Sequence, residues 1–272
     1  MRIGNQEFAT KEHTYVMGIL NVTPDSFSDG GKLRDMDDIL FRVEKMIEEG
    51  VHIIDVGGES TRPGYVPISD EEEIERVVPV VEEVKRRFNI PISLDTYKHA
   101  VAKEGIRAGA DMINDIWGLK YDNGEMAKLI ADTGVSCCLM HNRKQGEYIS
   151  FLDDVIQDLS LSVKIAGEAG ILDEKIVLDP GVGFAKTYEQ NKIILNELKL
   201  FTHLGYPVLL GASRKSVIGL TLNLPVEERL EGTLVTTVLA VLQGCSFVRV
   251  HDIKENVRAI KMAEAIKESR QL

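Results

Sequence analysis

Cysteine is scarce, with three in 272 residues, Cys137, Cys138 and Cys245. An odd count without a C-x-x-C pair does not support a disulfide framework. Each falls in an expected strand or apolar helix, where a thiol serves as a small core hydrophobe. Long hydrophobic runs are missing as well. None approaches the roughly 18 apolar residues of a membrane span, and the opening MRIGNQEFATKEH lacks the apolar stretch of a signal peptide. A cytoplasmic protein with reduced thiols is therefore expected. Positive charge is in deficit: 32 Lys and Arg against 43 Asp and Glu leave a net charge of −11. Nucleic acid and anionic membrane surfaces both call for a basic face, so neither is an expected partner. An anionic small molecule is not excluded, because charges more than about 8 Å apart are largely screened at physiological salt and a few local cations can dominate a cleft. The 8 prolines are scattered. No linker rich in Pro, Ser or Gly, no low-complexity tract and no short repeat divides the chain.

What the chain does have is alternation. Eight short apolar or β-branched runs recur: YVMGIL (15–20), VHIIDV (51–56), IPISLD (90–95), DMINDI (111–116), VSCCLM (135–140), KIVLD (175–179), PVLLGAS (207–213) and SFVRVH (246–251). Between and after them apolar residues recur at helical spacing, as in Ile39, Val43, Met46 and Ile47, or Val257, Ile260 and Ala263. A third such stretch, Ile74 to Val84, begins with Ser69 and Glu72 in capping-box register, and Pro79 inside it predicts a kink or a break. Near-continuously apolar strands alternating with helices imply a parallel sheet covered on both faces. Eight such units predict a closed (β/α)8 barrel, for which about 250 residues is usual. The structural alternative, a doubly wound sheet, lacks its Gly-rich turn after the first strand. A single barrel over residues 14–272 is expected, with residues 1–13 a hairpin, turning near Gly4-Asn5, that closes its bottom.

In such barrels chemistry sits at the C-terminal ends of the strands. Those positions are polar in series: Asn21, Asp55, Asp95, Asn114, Met140-His141, Asp179, Ser213 with Lys215, and Arg249 with His251. Residues two apart on a strand share a face, so Arg249 pairs with His251, Ser213 with Lys215, and Arg214 is expected to point away. Three ionised carboxylates at one mouth cost several kcal/mol each unless something donates hydrogen bonds to them. Lys215 can serve one and Asn114 adds capacity. The rest suit a metal ion or a planar heterocycle rich in N–H donors. Arg249 and His251, with Thr61 and Arg62 after the second strand, could build an anion site, since a guanidinium gives bidentate bonds to phosphate. The GVG of Gly181–Gly183 reads as a tight turn that lets backbone approach a ligand. Two βα loops, NVTPDSFSDGGKLRD (21–35) and GGESTRPGYVPIS (57–69), exceed the usual 2–6 residues, as binding loops often do.

The motifs MGILNVTPDSFSDGG, GGESTRPG, SLDT, MINDI, LMH, LDPGVGFAKT, LLGASRKS and VRVHD, in that order, resemble the signatures of the dihydropteroate synthases, in the pterin-binding enzyme family. The resemblance runs from about residue 15 to residue 268, and the stretch HNRKQGEYIS (141–150) is less typical of it. It implies a barrel that joins 7,8-dihydropterin-6-ylmethyl diphosphate to 4-aminobenzoate, forming 7,8-dihydropteroate and diphosphate with Mg2+ as cofactor, in a homodimer. By the same resemblance the pterin site comprises Asp55, Asp95, Asn114, Ile116, Met140, Asp179, Phe184, Gly211 and Lys215. The diphosphate would meet Asn21, Thr61, Arg62, Arg249 and His251, and the aminobenzoate Phe27, Thr61, Arg62, Pro63 and Ser213. Asn21 matches the Mg2+ ligand, with Asp29 a further candidate. Asp95, Lys215, Arg249 and His251 are the expected catalytic groups. Two other functions share parts of this pattern. A methyltransferase moving methyl from methyltetrahydrofolate to a corrinoid protein would keep the pterin acids without a diphosphate clamp, and a non-catalytic pterin-binding paralogue would have lost Asn21, Arg62 or Lys215.

Overall fold

The computed structural model describes residues 1–22, 32–59 and 67–269. A two-stranded antiparallel hairpin, β1 (Arg2–Ile3) and β2 (Gln6–Glu7), opens the chain and turns through Gly4-Asn5. The barrel follows as β3 (Tyr15–Asn21), α1 (Lys32–Glu48), β4 (Ile53–Gly57), α2 (Asp70–Arg87), β5 (Ile92–Asp95), α3 (His99–Ala108), β6 (Met112–Asp115) and α4 (Glu125–Thr133). Its second half is β7 (Ser136–Met140), α5 (Phe151–Ala169), β8 (Ile176–Asp179), α6 (Tyr188–Asn196), α7 (Leu198–Thr202), β9 (Leu209–Leu210), α8 (Ser216–Leu222), α9 (Leu230–Leu242), β10 (Phe247–Val250) and α10 (Ile253–Glu268). The eight strands pair in parallel in the order β8-β7-β6-β5-β4-β3-β10-β9. The ring meets itself between β8 and β9 through one bridge, Leu178 to Val208, with the Leu178 N–H donating to Pro207 O at 2.9 Å.

The expected eight strands are all present, but PVLLGAS contributes a ladder of only two residues. Pro207 has no N–H to give a ladder, and beyond Leu210 the chain leaves the sheet through Gly211–Ser213. Cys245, placed by its sequence in a strand or apolar helix, lies in the connection between α9 and β10, buried like the other two thiols. Helix α2 runs unbroken through Pro79. Glu75, whose carbonyl loses its helical partner there, and Pro79 are both exposed, so water can replace the missing bond. Only half of the capping box forms: Ser69 Oγ accepts from Glu72 N–H at 3.1 Å, while the Glu72 carboxylate turns to Arg76.

The alternation of the strands sorts two cores. Val16, Ile54, Ile113 and Cys137 face the helices in the outer core. Their neighbours Met17, Ile53, Met112 and Cys138 face the barrel axis, packed with Ile3 and Phe8 from the hairpin segment. The inner face is thus apolar at the N-terminal ends of the strands. Two residues further along the same face stand Asp55, Asn114, Met140, Asp179 and Arg249. A period of two therefore carries the inner face from an oily floor to a charged mouth within one step.

Candidate active site

Parallel register joins the two halves of the mouth. Arg249 of β10 lies level with Met17 of β3, Ile19 of β3 with Asp55 of β4, and Gly57 of β4 with Asp95 of β5. From that position Arg249 Nε donates to Asp55 Oδ2 at 2.6 Å and Nη2 donates to Asp95 Oδ2 at 2.6 Å. The other oxygen of each acid, Asp55 Oδ1 and Asp95 Oδ1, is buried and accepts no hydrogen bond. A buried carboxylate oxygen left so is costly and marks a place for a donor. Burial drives the Asp95 carboxyl up to about 7, with Asp55 adding to the rise and Arg249 opposing it.

Asp179, at the end of β8, is held differently. Its Oδ1 accepts from Gly181 N–H at 2.7 Å, and burial still raises its pKa above the usual carboxylate range. A Cβ on Gly211 would stand 3.5 Å from Asp179 Oδ2, which brings the backbone after β9 against this acid. Lys215, expected to serve one of the acids, instead donates from Nζ to Val182 O at 2.6 Å, with the ammonium 4.0 Å above the Phe184 ring. Burial lowers its pKa to about 8, against the pull of Asp179 and Asp95. The glycines of GVG are explained by the protein's own packing. Gly183 has φ +84°, and a Cβ there would lie 2.8 Å from Lys215 Cδ; a Cβ on Gly181 would strike His141 O.

Between these charges lies an apolar wall. Tyr97, Ile116 and Met140 form one buried cluster, against which Trp117 and Phe184 pack. Asn114 is buried on β6 beside Asp95. At the rim, Ser213 Oγ and His251 Nδ1 are 3.0 Å apart. Arg214 turns away as expected and pairs with Asp252, Nε to Oδ2 at 3.1 Å. Asn21 is exposed at the end of β3, and its Oδ1 and the Asp95 Cβ flank the same face of Gly57, each 3.6 Å from where a Cβ would be. Phe27, Asp29, Thr61, Arg62 and Pro63 lie outside the described residues.

Two buried ionic clusters behind the mouth escaped the reading of the sequence. In one, Lys98 Nζ donates to Glu59 Oε2 at 2.7 Å and to Ile68 O at 2.8 Å, and pairs with Glu73 at 2.8 Å. Ile68 N–H also reaches Glu59 Oε2 at 3.0 Å, so Glu59 and Lys98 tie together the two ends of the second long loop. In the other, Lys186 Nζ sits 2.8 Å from His141 Nδ1, and His141 Nε2 sits 3.1 Å from Asp158 Oδ2. Glu59 and Lys186 both lie inside motifs of the sequence, GGESTRPG and LDPGVGFAKT, which was the available signal.

Residues 17–251 match the family model described as "Pterin binding enzyme". A dihydropteroate synthase of Clostridium beijerinckii is 58% identical over 267 residues, 98% of this chain and 99% of the relative. Among solved structures, a dihydropteroate synthase of Clostridium difficile determined in the presence of pteroic acid superposes with a TM-score of 0.93 at 47% identity, covering 96% of this chain and 99% of that one. A Xanthomonas albilineans dihydropteroate synthase with 4-aminobenzoic acid gives a TM-score of 0.89 at 38% identity, covering 94% of each chain.

Proposed function

The chain belongs to the pterin-binding enzyme family, and from that premise we infer that it is a dihydropteroate synthase, joining 7,8-dihydropterin-6-ylmethyl diphosphate to 4-aminobenzoate. The observation that carries this reading is the pair of buried, unpartnered oxygens on Asp55 and Asp95, held in place by Arg249. A pterin ring offers N–H donors along one edge and two flat apolar faces. Asp95, Asn114 and Asp179, with Asp55 behind them, supply the acceptors, and Lys215 supplies a cation for the ring's carbonyl edge. Met140, Ile116 and Phe184 cover the ring faces, and Gly211 leaves room beside Asp179.

Arg249 spends Nε and Nη2 on the acids, while Nη1 donates to none of the described residues. That amine, with His251, Asn21, Thr61 and Arg62, would meet the diphosphate. Phe27, Thr61, Arg62, Pro63 and Ser213 would surround the aminobenzoate. For Mg2+, the described residues offer no group of three or more His, Cys, Asp or Glu. A single amide oxygen from Asn21 nevertheless suits an ion that keeps several waters and takes substrate phosphate oxygens, and Asp29 is a further candidate donor. When bound, the ion would neutralise charge on the leaving diphosphate.

The reaction needs little acid–base work. The C–O bond at the pterin methylene breaks with its electron pair leaving on diphosphate, the arylamine nitrogen forms the new C–N bond, and one amine proton passes to solvent. Asp95 and Asp179 stabilise the positive charge growing on the ring, and Arg249 and His251 the departing anion. Lys215 holds the ring between them, so orientation supplies much of the rate. Mixing the protein with Mg2+, the pterin diphosphate and 4-aminobenzoate should release one diphosphate per dihydropteroate; tight pterin binding with neither product would identify a non-catalytic paralogue and overturn this reading.

A homodimer completes the proposal. Leu220 on α8, Val235 and Leu242 on α9, and Met262 and Ile266 on α10 are exposed apolar side chains on consecutive packed helices. Such a patch suits burial against a second copy. No helix among the described residues is long and apolar enough to cross a membrane, and folate synthesis from small soluble substrates fits a cytoplasmic enzyme. Residues 1–13 would serve as a plug beneath a pterin-binding barrel of residues 14–272.

A further inference from the structure

Asp179 and Lys215 both depend on one short turn. The Gly181 N–H fixes Asp179 Oδ1, and the Val182 carbonyl fixes Lys215 Nζ. Turns rich in glycine do not hold a shape by themselves, and Gly181, Gly183 and Ala185 all have positive φ. Something must hold this one.

Lys186 meets that need. Its Nζ donates to Gly181 O at 2.9 Å and to Phe184 O at 3.1 Å, and lies 2.8 Å from His141 Nδ1. Three acceptors match the three protons of an ammonium. The imidazole must then be neutral with its proton on Nε2, which faces Asp158 Oδ2 at 3.1 Å, and Asp158 is in turn held by Arg143 Nε at 2.6 Å. Burial, Lys186 and Lys120 hold the His141 pKa down to about 3 against the pull of Asp158. The strands make this junction: the His141 N–H donates to Asp179 O at 2.8 Å, which sets the ring beside the turn.

We propose that Lys186 is a positioning residue for pterin recognition, its ammonium drawing the carbonyls of Gly181 and Phe184 against neutral His141 so that the turn presents one donor to Asp179 and one acceptor to Lys215. Lys186 touches no substrate in this scheme. It acts on the pterin half of the reaction and not on the aminobenzoate half. The inference rests on the pterin reading above and deepens it.

The test separates the two halves. In Lys186→Met, the KM for pterin diphosphate and the Kd for 6-hydroxymethyl-7,8-dihydropterin should each rise about tenfold or more, the scale expected when an ångström of misplacement reaches a binding group. The KM for 4-aminobenzoate should stay within about twofold, a split that loss of folded protein alone would not give. Equal rises for both substrates, or none for either, would overturn the proposal. Should the variant fail to fold, the wild-type protein still decides: with 15N-labelled histidine, His141 should show an unprotonated Nδ1 and a protonated Nε2 from pH 5 to pH 6, where Lys186, lowered by burial to about 7, is still an ammonium. A proton on Nδ1 would remove the third acceptor and the proposal with it. A wild-type protein that binds pterin but makes no dihydropteroate would sink the assigned activity alone, since the pterin Kd and histidine arms stand apart from turnover.

Discussion

Removing Arg249 should give a stability loss that grows with pH. Asp55 and Asp95 share its guanidinium at 2.6 Å each, Asp55 fully buried and Asp95 nearly so. Taking one partner from a buried pair costs about 3–5 kcal/mol, because a charge is stranded. Stranded Asp95 can escape part of that cost by taking up a proton. In the wild type Asp95 titrates near 7, against about 3.9 unfolded. The native state therefore binds the extra proton between those values, and stability falls as pH rises from about 4 to about 7, at roughly 1.4 kcal/mol per unit. Above 7 the carboxyl is ionised in both states and its contribution is flat. In Arg249→Met the native pKa rises further, so the same slope continues past pH 7. The variant should lose about 3 kcal/mol more, relative to wild type, at pH 9 than at pH 7. Urea titrations followed by fluorescence of the single tryptophan, Trp117, would measure this. Adding Asp95→Asn to Arg249→Met should flatten the slope. A difference between wild type and variant that is the same at pH 7 and pH 9 would refute the ascription of a buried, shared charge to these residues.

Lys215→Met should abolish turnover while leaving thermal melting within a few degrees of wild type, and in the wild type pterin affinity should decline as pH rises through about 8, where Lys215 loses its proton. Unchanged turnover, or affinity flat to pH 9.5, would count against that role. Gly183→Ala should cost about 1–2 kcal/mol for its left-handed backbone and displace Lys215, so pterin affinity should fall alongside stability; loss of stability alone would mean that Lys215 accommodates the methyl. Val235→Glu with Met262→Glu should shift sedimentation from dimer to monomer at micromolar concentration, and an unchanged sedimentation coefficient would remove this face as the interface.

The barrel was legible because its signals are local: an apolar run, a turn and an amphipathic helix lie side by side in the chain, and the period of two alone assigns Asp55, Asp179 and Arg249 to the inner face. The partners of those residues were not legible. Arg249 was expected at an anion and grips two acids 154 and 194 residues away, a contact that exists only because the last strand returns to the first. Lys215 was expected on an acid and reaches a carbonyl of the neighbouring turn instead, since β9 ends before Ser213 and the side chains no longer follow strand alternation. The Lys186–His141 contact spans 45 residues and joins two βα connections. The apolar face of α8 to α10 was hidden because α9 is apolar nearly all round, LEGTLVTTVLAVL, and such a sequence does not say which side meets the barrel.

The single rung between Leu178 and Val208 has a consequence for how the barrel breathes. Other neighbouring strands share ladders of two to five paired residues, while this joint has a single bridge, at which Leu178 N–H donates to Pro207 O. Local opening begins where fewest bonds must break together, so the Leu178 amide should exchange with deuterium ahead of the central-strand amides. Asp179 stands on one lip of that joint and Gly211 and Lys215 on the other, with the Lys215–Val182 bond crossing it. A ligand gripped by both lips would act as the missing rungs, and slowed exchange at Leu178 would then report occupancy of the mouth from the barrel's own backbone.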